Sequence, residues 1–332
     1  MAFVALMNRQ LNISALRRSD PPFSPFRFRG IQARLIGLAL ALGGASWSAQ
    51  PQAGASPRGL DSPQEWLFFG DDFIPRARPS LEGKPKPPKV ARGAELLITR
   101  TERDSEGDAW LGWGGDGGQR WIPEALAVRV APQNRRSGNL PIGQEAVSRW
   151  QALPLDYEPD DLRPLPAEFR YEPELPYLLR AEALDKALEM FRAARAQGVR
   201  LSVVSAYRSA EKQRELCLAQ VKADGFGQTA VAKPGHSEHQ LGSTIDVTGP
   251  DESRLLKPSF ADTDEGRWIR ANACRFGFVI SYTEENRVQT GYDPEPWHLR
   301  YVGVQRARDW KPVPVEGPIG AKPPRVSPRP RS

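Results

Sequence analysis

Seven prolines between Pro141 and Pro176 interrupt the middle of the chain, and none of the residues they flank can join a long helix or a central strand. At Tyr177 the texture changes. The run "YLLRAEALDKALEMFRAARAQG" places Leu184, Leu188, Phe191 and Ala194 at helical spacing and stops at Gly198, a residue suited to ending a helix. "RLSVVSAYR" follows as a β-rich strand, and "SAEKQRELCLAQVKA" reads as a second helix with Ser209 as its N-cap. "GSTIDV", "FGFVISY" and "WHLRYVG" read as strands, with a helix around "DEGRWIRANACRF". Helices and strands mix without β-α-β repetition, so residues 165–310 are expected to form an α+β domain, a small antiparallel sheet flanked by helices.

The rest of the chain has a different composition. Residues 1–50 carry +5 and residues 311–332 carry +4 of a total net charge of +6, so the intervening 260 residues carry −3. The basic balance belongs to the ends, which argues against a nucleic-acid-binding body. Within residues 1–49, "LIGLALALGGA" is too short to span a bilayer, and its flanking arginines and small residues give the layout of a signal peptide or N-terminal anchor. An exported location, periplasm or cell wall, is expected. Residues 50–89 read as a Pro-rich linker and residues 311–332 as a disordered basic Pro-rich tail.

Residues 90–132 contain two short strands around "AWLGWGGDGGQRW", expected as a small SH3-like β-module preceding the main domain. Gly112, Gly114 and Gly117 form a G-x-G-x-x-G, but "WIP" follows where a dinucleotide site needs a helix, so the glycines read as a turn. Residues 133–164 read as an irregular linker. Export would permit Cys217 and Cys274 to pair, stabilising by about 4 kcal/mol in the chain-entropy account; two buried free thiols are the alternative.

The chain has three histidines, and all lie in two short stretches, "GHSEHQLGSTID" and "EPWH". A catalytic zinc takes three ligands from His, Asp, Glu or Cys and leaves a position open for water. His239, Asp246 and His298 meet that requirement if the loop before "GSTID" folds back on the strand. Glu295, three residues before His298, is the candidate general base. Singly, such residues more often serve as turn caps or hydrogen-bonded loop residues; their concentration favours chemistry.

"SAYRSAEKQ", "PGHSEHQLGSTIDV" and "EPWHLRYVG" together resemble the three signature blocks of the VanY-like D-alanyl-D-alanine carboxypeptidases, zinc peptidases related to VanX and to the Hedgehog-like fold. The resemblance covers about 145 residues in order and spacing. It implies one Zn2+ per chain on His239, Asp246 and His298, with Glu295 as base. It also implies Arg208 as the cation facing the substrate, with Gln213 and Ser237 as polar contacts. The implied reaction removes the C-terminal D-Ala from peptidoglycan stem peptides. An L,D-carboxypeptidase or endopeptidase on the same stems remains an alternative, as does a non-catalytic wall-binding protein stabilised by zinc. Trp297 reads as core or as a wall of the substrate cleft. His236 is expected at the rim rather than as a fourth ligand, and Glu238 as structural rather than a second base. Thr244 stands where the family has a smaller residue, which puts no ligand in doubt.

Overall fold

The structure, a computed structural model, describes residues 58–114, 118–130 and 140–310. The expected signal or anchor in 1–49 and the tail 311–332 lie outside the described residues. Among the described residues, no helix is long and apolar enough to cross a membrane.

Five strands form the first sheet: β1 (Arg58–Phe68), β2 (Glu95–Arg103), β3 (Ala109–Trp113), β4 (Arg120–Pro123) and β5 (Ala127–Arg129). They are antiparallel in the order β4-β3-β2-β1-β5. Residues 58–68 were expected in a linker, yet they supply an inner strand. Pro63 within this strand is tolerated because the β1/β2 register shifts between Gly59 and Gln64. Gly112 lies in β3 opposite Trp121, where an added Cβ would stand 2.6 Å from the indole, so this glycine makes room for a ring rather than a phosphate.

A two-stranded ribbon, β6 (Leu162–Pro164) and β7 (Leu178–Arg180), leads into helix α1 (Ala181–Ala196). Then come β8 (Ser202–Ser205), helix α2 (Ala210–Asp224), β9 (Thr244–Thr248), helix α3 (Asp264–Asn272), β10 (Phe278–Ile280) and β11 (His298–Tyr301). The second sheet runs β10-β11-β9-β8, all antiparallel. This is the expected α+β arrangement, a small antiparallel sheet flanked by helices and preceded by a β-module. Ser209 caps α2 by accepting a hydrogen bond from the Lys212 amide at 3.2 Å.

Two cores result. On one face of the second sheet, Ile245, Val247 and Leu299 pack with Ala187, Met190 and Phe191 of α1 and with Trp268 and Ile269 of α3. Phe68, Ile98, Leu111 and Ile122 of the first sheet pack with Leu216, Cys217 and Val221 of α2. The β-module therefore shares its core with the helix that follows "SAYR". Arg214 of α2 reinforces the join, donating to the Phe69 carbonyl at 2.8 Å and to Asp71 at 2.5 Å. Both cysteines are free thiols: Cys217 is buried in this shared core, whereas Cys274 is exposed beside α3. The disulfide and the pair of buried thiols are thus both replaced by one buried and one exposed thiol.

Residues 140–157 are not a slack connection either. Val147, Leu153 and Tyr157 are buried against Leu241, next to the histidine-bearing loop.

Leu216, 3 % exposed, ties sheet to helix. Leu216→Ala is expected to cost about 2–5 kcal/mol, with tryptophan fluorescence of the sheet and far-UV circular dichroism shifting to one lower denaturant midpoint together. Two separate transitions would contradict a shared core.

Candidate metal and active site

All five residues of β9 are buried, which marks a strand covered on both faces. Alternation sends Ile245 and Val247 toward α1 and leaves Asp246 on the other face. Register then places His298 of β11 directly opposite Asp246. The chain enters β9 through a tight turn, Glu238–Leu241, closed by Gly242 at φ 70°. A Cβ on Gly242 would lie 2.9 Å from Leu162 and 3.0 Å from Pro159, so glycine alone fits both the dihedral and the space. That turn is the fold-back required to set His239 beside Asp246.

His239, Asp246 and His298 are all buried, and one potential ligand atom from each lies within 4.8 Å of the others. The tautomers follow from the partners. His239 Nδ1 lies 2.8 Å from the Ala206 carbonyl, which can only accept, so Nδ1 carries the proton and Nε2 presents a lone pair. That lone pair faces Asp246 Oδ2 at 3.1 Å. Burial lowers the His239 pKa, with Asp246 opposing, and the result leaves two acceptors facing one another. A cation between them resolves the clash, so these residues fit a metal ion on their own chemistry.

His298 is gripped on both nitrogens. Nδ1 lies 2.9 Å from Asp246 Oδ1 and 3.6 Å from Glu295 Oε2, and Nε2 lies 3.1 Å from Glu238 Oε2. Burial opposes its charge, but the hydrogen bonds to Asp246 and Glu238 push its pKa up to about 10. Tyr282 stacks on its ring at 4.5 Å and 13°. With Nε2 held by Glu238, Nδ1 is the nitrogen available to a metal.

Glu238 thus performs a task that the sequence expectation of a structural residue left unnamed. Its carboxylate also accepts from Ser281 at 2.5 Å and from Arg300 at 2.8 Å, and Arg300 donates in turn to Glu145 at 3.0 Å. Burial pushes the Glu238 carboxyl up, but Arg300, His298 and Ser281 together hold it at about 2. Arg300 and Glu145 are the residues that sequence reasoning missed. The one available signal was an arginine two residues after His298 in an apolar strand, which demands a buried carboxylate on the same face.

A cleft of about 630 Å³ opens over the cluster, and Arg208, Gln213, Ser237, Glu295 and Trp297 all line it. Glu295 is half-buried, and desolvation, assisted by Asp246 and opposed by His298, raises its carboxyl to about 7. Arg208 donates to Gln213 Oε1 at 2.8 Å and to Ser205 Oγ at 3.0 Å; neither partner is a carboxylate. Gln213 has its amide nitrogen on the Ala232 carbonyl at 2.7 Å, so both of its polar ends are engaged in holding Arg208 in place. Ser237 accepts from the His239 amide, and Trp297 is both core and cleft wall.

His236 corrects the rim expectation. It is only 8 % exposed, stands outside the cluster, and bonds through Nδ1 to the Ser148 carbonyl at 2.9 Å. Burial pulls its pKa down to about 4, so it is a neutral packing residue.

Residues 176–304 match the family profile described as "VanY: D-alanyl-D-alanine carboxypeptidase". This segment belongs to the VanY family. The VanY segment contains Arg208, the whole His-Asp-His cluster and Glu295, whereas Glu145 and Ser148 precede it. A putative carboxypeptidase, YodJ, of Bacillus subtilis is 39 % identical over 165 residues, covering 49 % of this chain and 60 % of that protein. A D-alanyl-D-alanine carboxypeptidase of Enterococcus faecalis is 37 % identical over 160 residues, covering 43 % of this chain and 57 % of its own length. The chain therefore spans a little over half of these curated relatives. Among solved structures, the LdcB LD-carboxypeptidase is 38 % identical with a TM-score of 0.46, covering 49 % of this chain and 78 % of that one. A VanY variant from a VanB-type cassette, in complex with Zn(II), is 30 % identical with a TM-score of 0.41, covering 50 % and 92 %.

Arg300→Met strips Glu238 and Glu145 of their shared cation. It is expected to lower stability by about 3–5 kcal/mol in denaturant titration, and a wild-type midpoint would show that the buried carboxylates do not depend on it.

Proposed function

We propose that the VanY segment is a zinc-dependent D-alanyl-D-alanine carboxypeptidase that removes the C-terminal D-Ala from peptidoglycan stem peptides. The observation that carries this reading is a buried His-Asp-His donor set, facing a cleft, with a further acidic residue, Glu295, held beside it. Glu295 approaches His298 at 3.6 Å yet stands apart from the three-residue cluster. A site that served stability alone has no use for a spare carboxylate at its edge, so the enzyme is favoured over the zinc-stabilised wall-binding protein.

His239 Nε2, an Asp246 oxygen and His298 Nδ1 would hold one zinc per chain; nitrogen-rich donor sets of this kind suit that metal. Bound zinc supplies Lewis acidity, acidifying water and polarising the scissile carbonyl. Glu295 takes the proton of the attacking water and passes it to the departing amine of D-alanine. Arg208, fixed by Ser205 and Gln213, turns its fork toward the cleft and pairs with charge that develops on the carbonyl oxygen or with the terminal carboxylate. Ser237 and Trp297 bound the space into which the terminal residue fits. Glu238 keeps His298 Nδ1 aimed at the cluster through the other nitrogen.

Stem peptides are assembled into the wall outside the cytoplasm, so this substrate agrees with reading Leu35–Ala45 as part of an export signal or anchor and with a location in the periplasm or cell wall.

Purified protein is expected to contain close to one zinc per chain. Glu295→Gln should retain that zinc while kcat falls by about 10²–10⁴-fold; full activity in the variant would remove Glu295 as the base. Because only the ionised carboxylate accepts a proton, kcat/KM should fall as pH drops through the Glu295 pKa. Muropeptides analysed by mass spectrometry should lose one alanine from pentapeptide stems. Loss from tetrapeptide stems alone would replace the D,D assignment with an L,D one.

A further inference from the structure

Arg149 lies in residues 140–157, upstream of the VanY segment, and touches both walls of the cleft. One wall is the loop through Thr229–Ala232, and the other is the loop through Tyr292–Glu295. Arg149 Nη2 donates to the Thr229 carbonyl at 2.5 Å, and Nε donates to the Gly291 carbonyl at 2.8 Å. Its backbone amide donates to the Thr290 carbonyl at 2.9 Å. The guanidinium also stands 4.9 Å from the centre of the Tyr292 ring.

These side-chain hydrogen-bond acceptors are neutral carbonyls, so the guanidinium is not there to balance a charge. What arginine brings is a rigid fork whose separate N–H groups can reach two loops at once. The second loop is shaped around it. Gly291 sits at φ 76°, and a Cβ there would come 2.6 Å from the Arg149 Cβ. From Tyr292 the contacts continue inward: Tyr292 packs on Tyr282 at 5.0 Å, and Tyr282 stacks on His298. The Tyr292 hydroxyl donates to the His236 carbonyl at 2.9 Å, which ties the same wall to the histidine loop.

We propose that Arg149 is a positioning residue that clasps the two walls of the cleft together and, through Tyr292 and Tyr282, steadies the ring of His298. The two walls are loops, and loops otherwise sample several separations. Fixing them before substrate arrives removes an ordering cost from binding. The working catalytic unit accordingly begins before the family boundary at residue 176, at or upstream of Arg149.

Only the kinetic consequence rests on the proposed reaction; the clasp itself is read independently. Arg149→Ala and Arg149→Lys are made in the full chain. Hydrogen exchange is followed by mass spectrometry in peptides covering 225–236, 283–294 and, as a folding control, α1. Steady-state kinetics are measured on a pentapeptide muropeptide. The alanine variant is expected to exchange faster in both walls with α1 unchanged, and KM should rise about tenfold or more while kcat falls less. Lysine keeps a cation over Tyr292 but cannot span two carbonyls, so at least one wall should still loosen and KM should still rise. Unchanged exchange in both walls, a wild-type KM in the lysine variant, or loosening that extends equally to α1 would overturn the clasp. Loosened walls in a chain whose wild type does not cleave the muropeptide would uphold the clasp and reject the reaction.

Discussion

Asp246 and His298 face each other across adjacent antiparallel strands, and the functional half of the molecule is arranged around keeping that pair buried. The register is enforced from the far side of the sheet. Ile245, Val247 and Leu299 must meet α1, so a slip of one residue would drive Asp246 into an apolar core and send isoleucine toward the cleft. Apolar packing on one face thus fixes polar geometry on the other. A carboxylate and two imidazoles enclosed together also need supporting partners, and Ala206, Glu238, Ser281, Arg300 and Glu145 supply them.

This explains why so much of the chain outside the three motifs is ordered against the site. Glu145 meets Arg300, Ser148 meets His236, and the backbone carbonyls of Pro154 and Tyr157 accept from Gln240 at 2.9 and 3.1 Å. The segment between β-module and main domain is therefore a buttress for the histidine loop. The β-module is attached with similar firmness through the shared core on α2, whose other residues include Gln213, the support of Arg208.

The parts that were legible in the sequence are those encoded locally. Helix α1 was visible because its apolar residues recur every three to four positions, and β9 and β11 because their motifs end in apolar β-formers. His239, Asp246, His298 and Glu295 stood out because a chain with three histidines has few ways to build a metal site, and the structure brings all four together. The remainder depended on contacts between distant segments. The Glu238–Arg300–Glu145 chain joins residues more than sixty positions apart, and no spacing rule links them. His236 read as a rim residue because nothing local reveals that residues 140–157 cover it. Strand β1 was hidden by the proline-rich, charged composition of residues 50–89, and what makes it a strand is its pairing with the distant β2 and β5.

Diffraction at the zinc absorption edge, from crystals of the full chain grown with zinc, tests the assembly most directly. The account predicts one strong anomalous peak in bonding contact with His239 Nε2, an Asp246 oxygen and His298 Nδ1, with Glu238 still hydrogen-bonded to His298 Nε2. A peak bound through His298 Nε2 with Glu238 displaced, or no peak among these three residues, would contradict it.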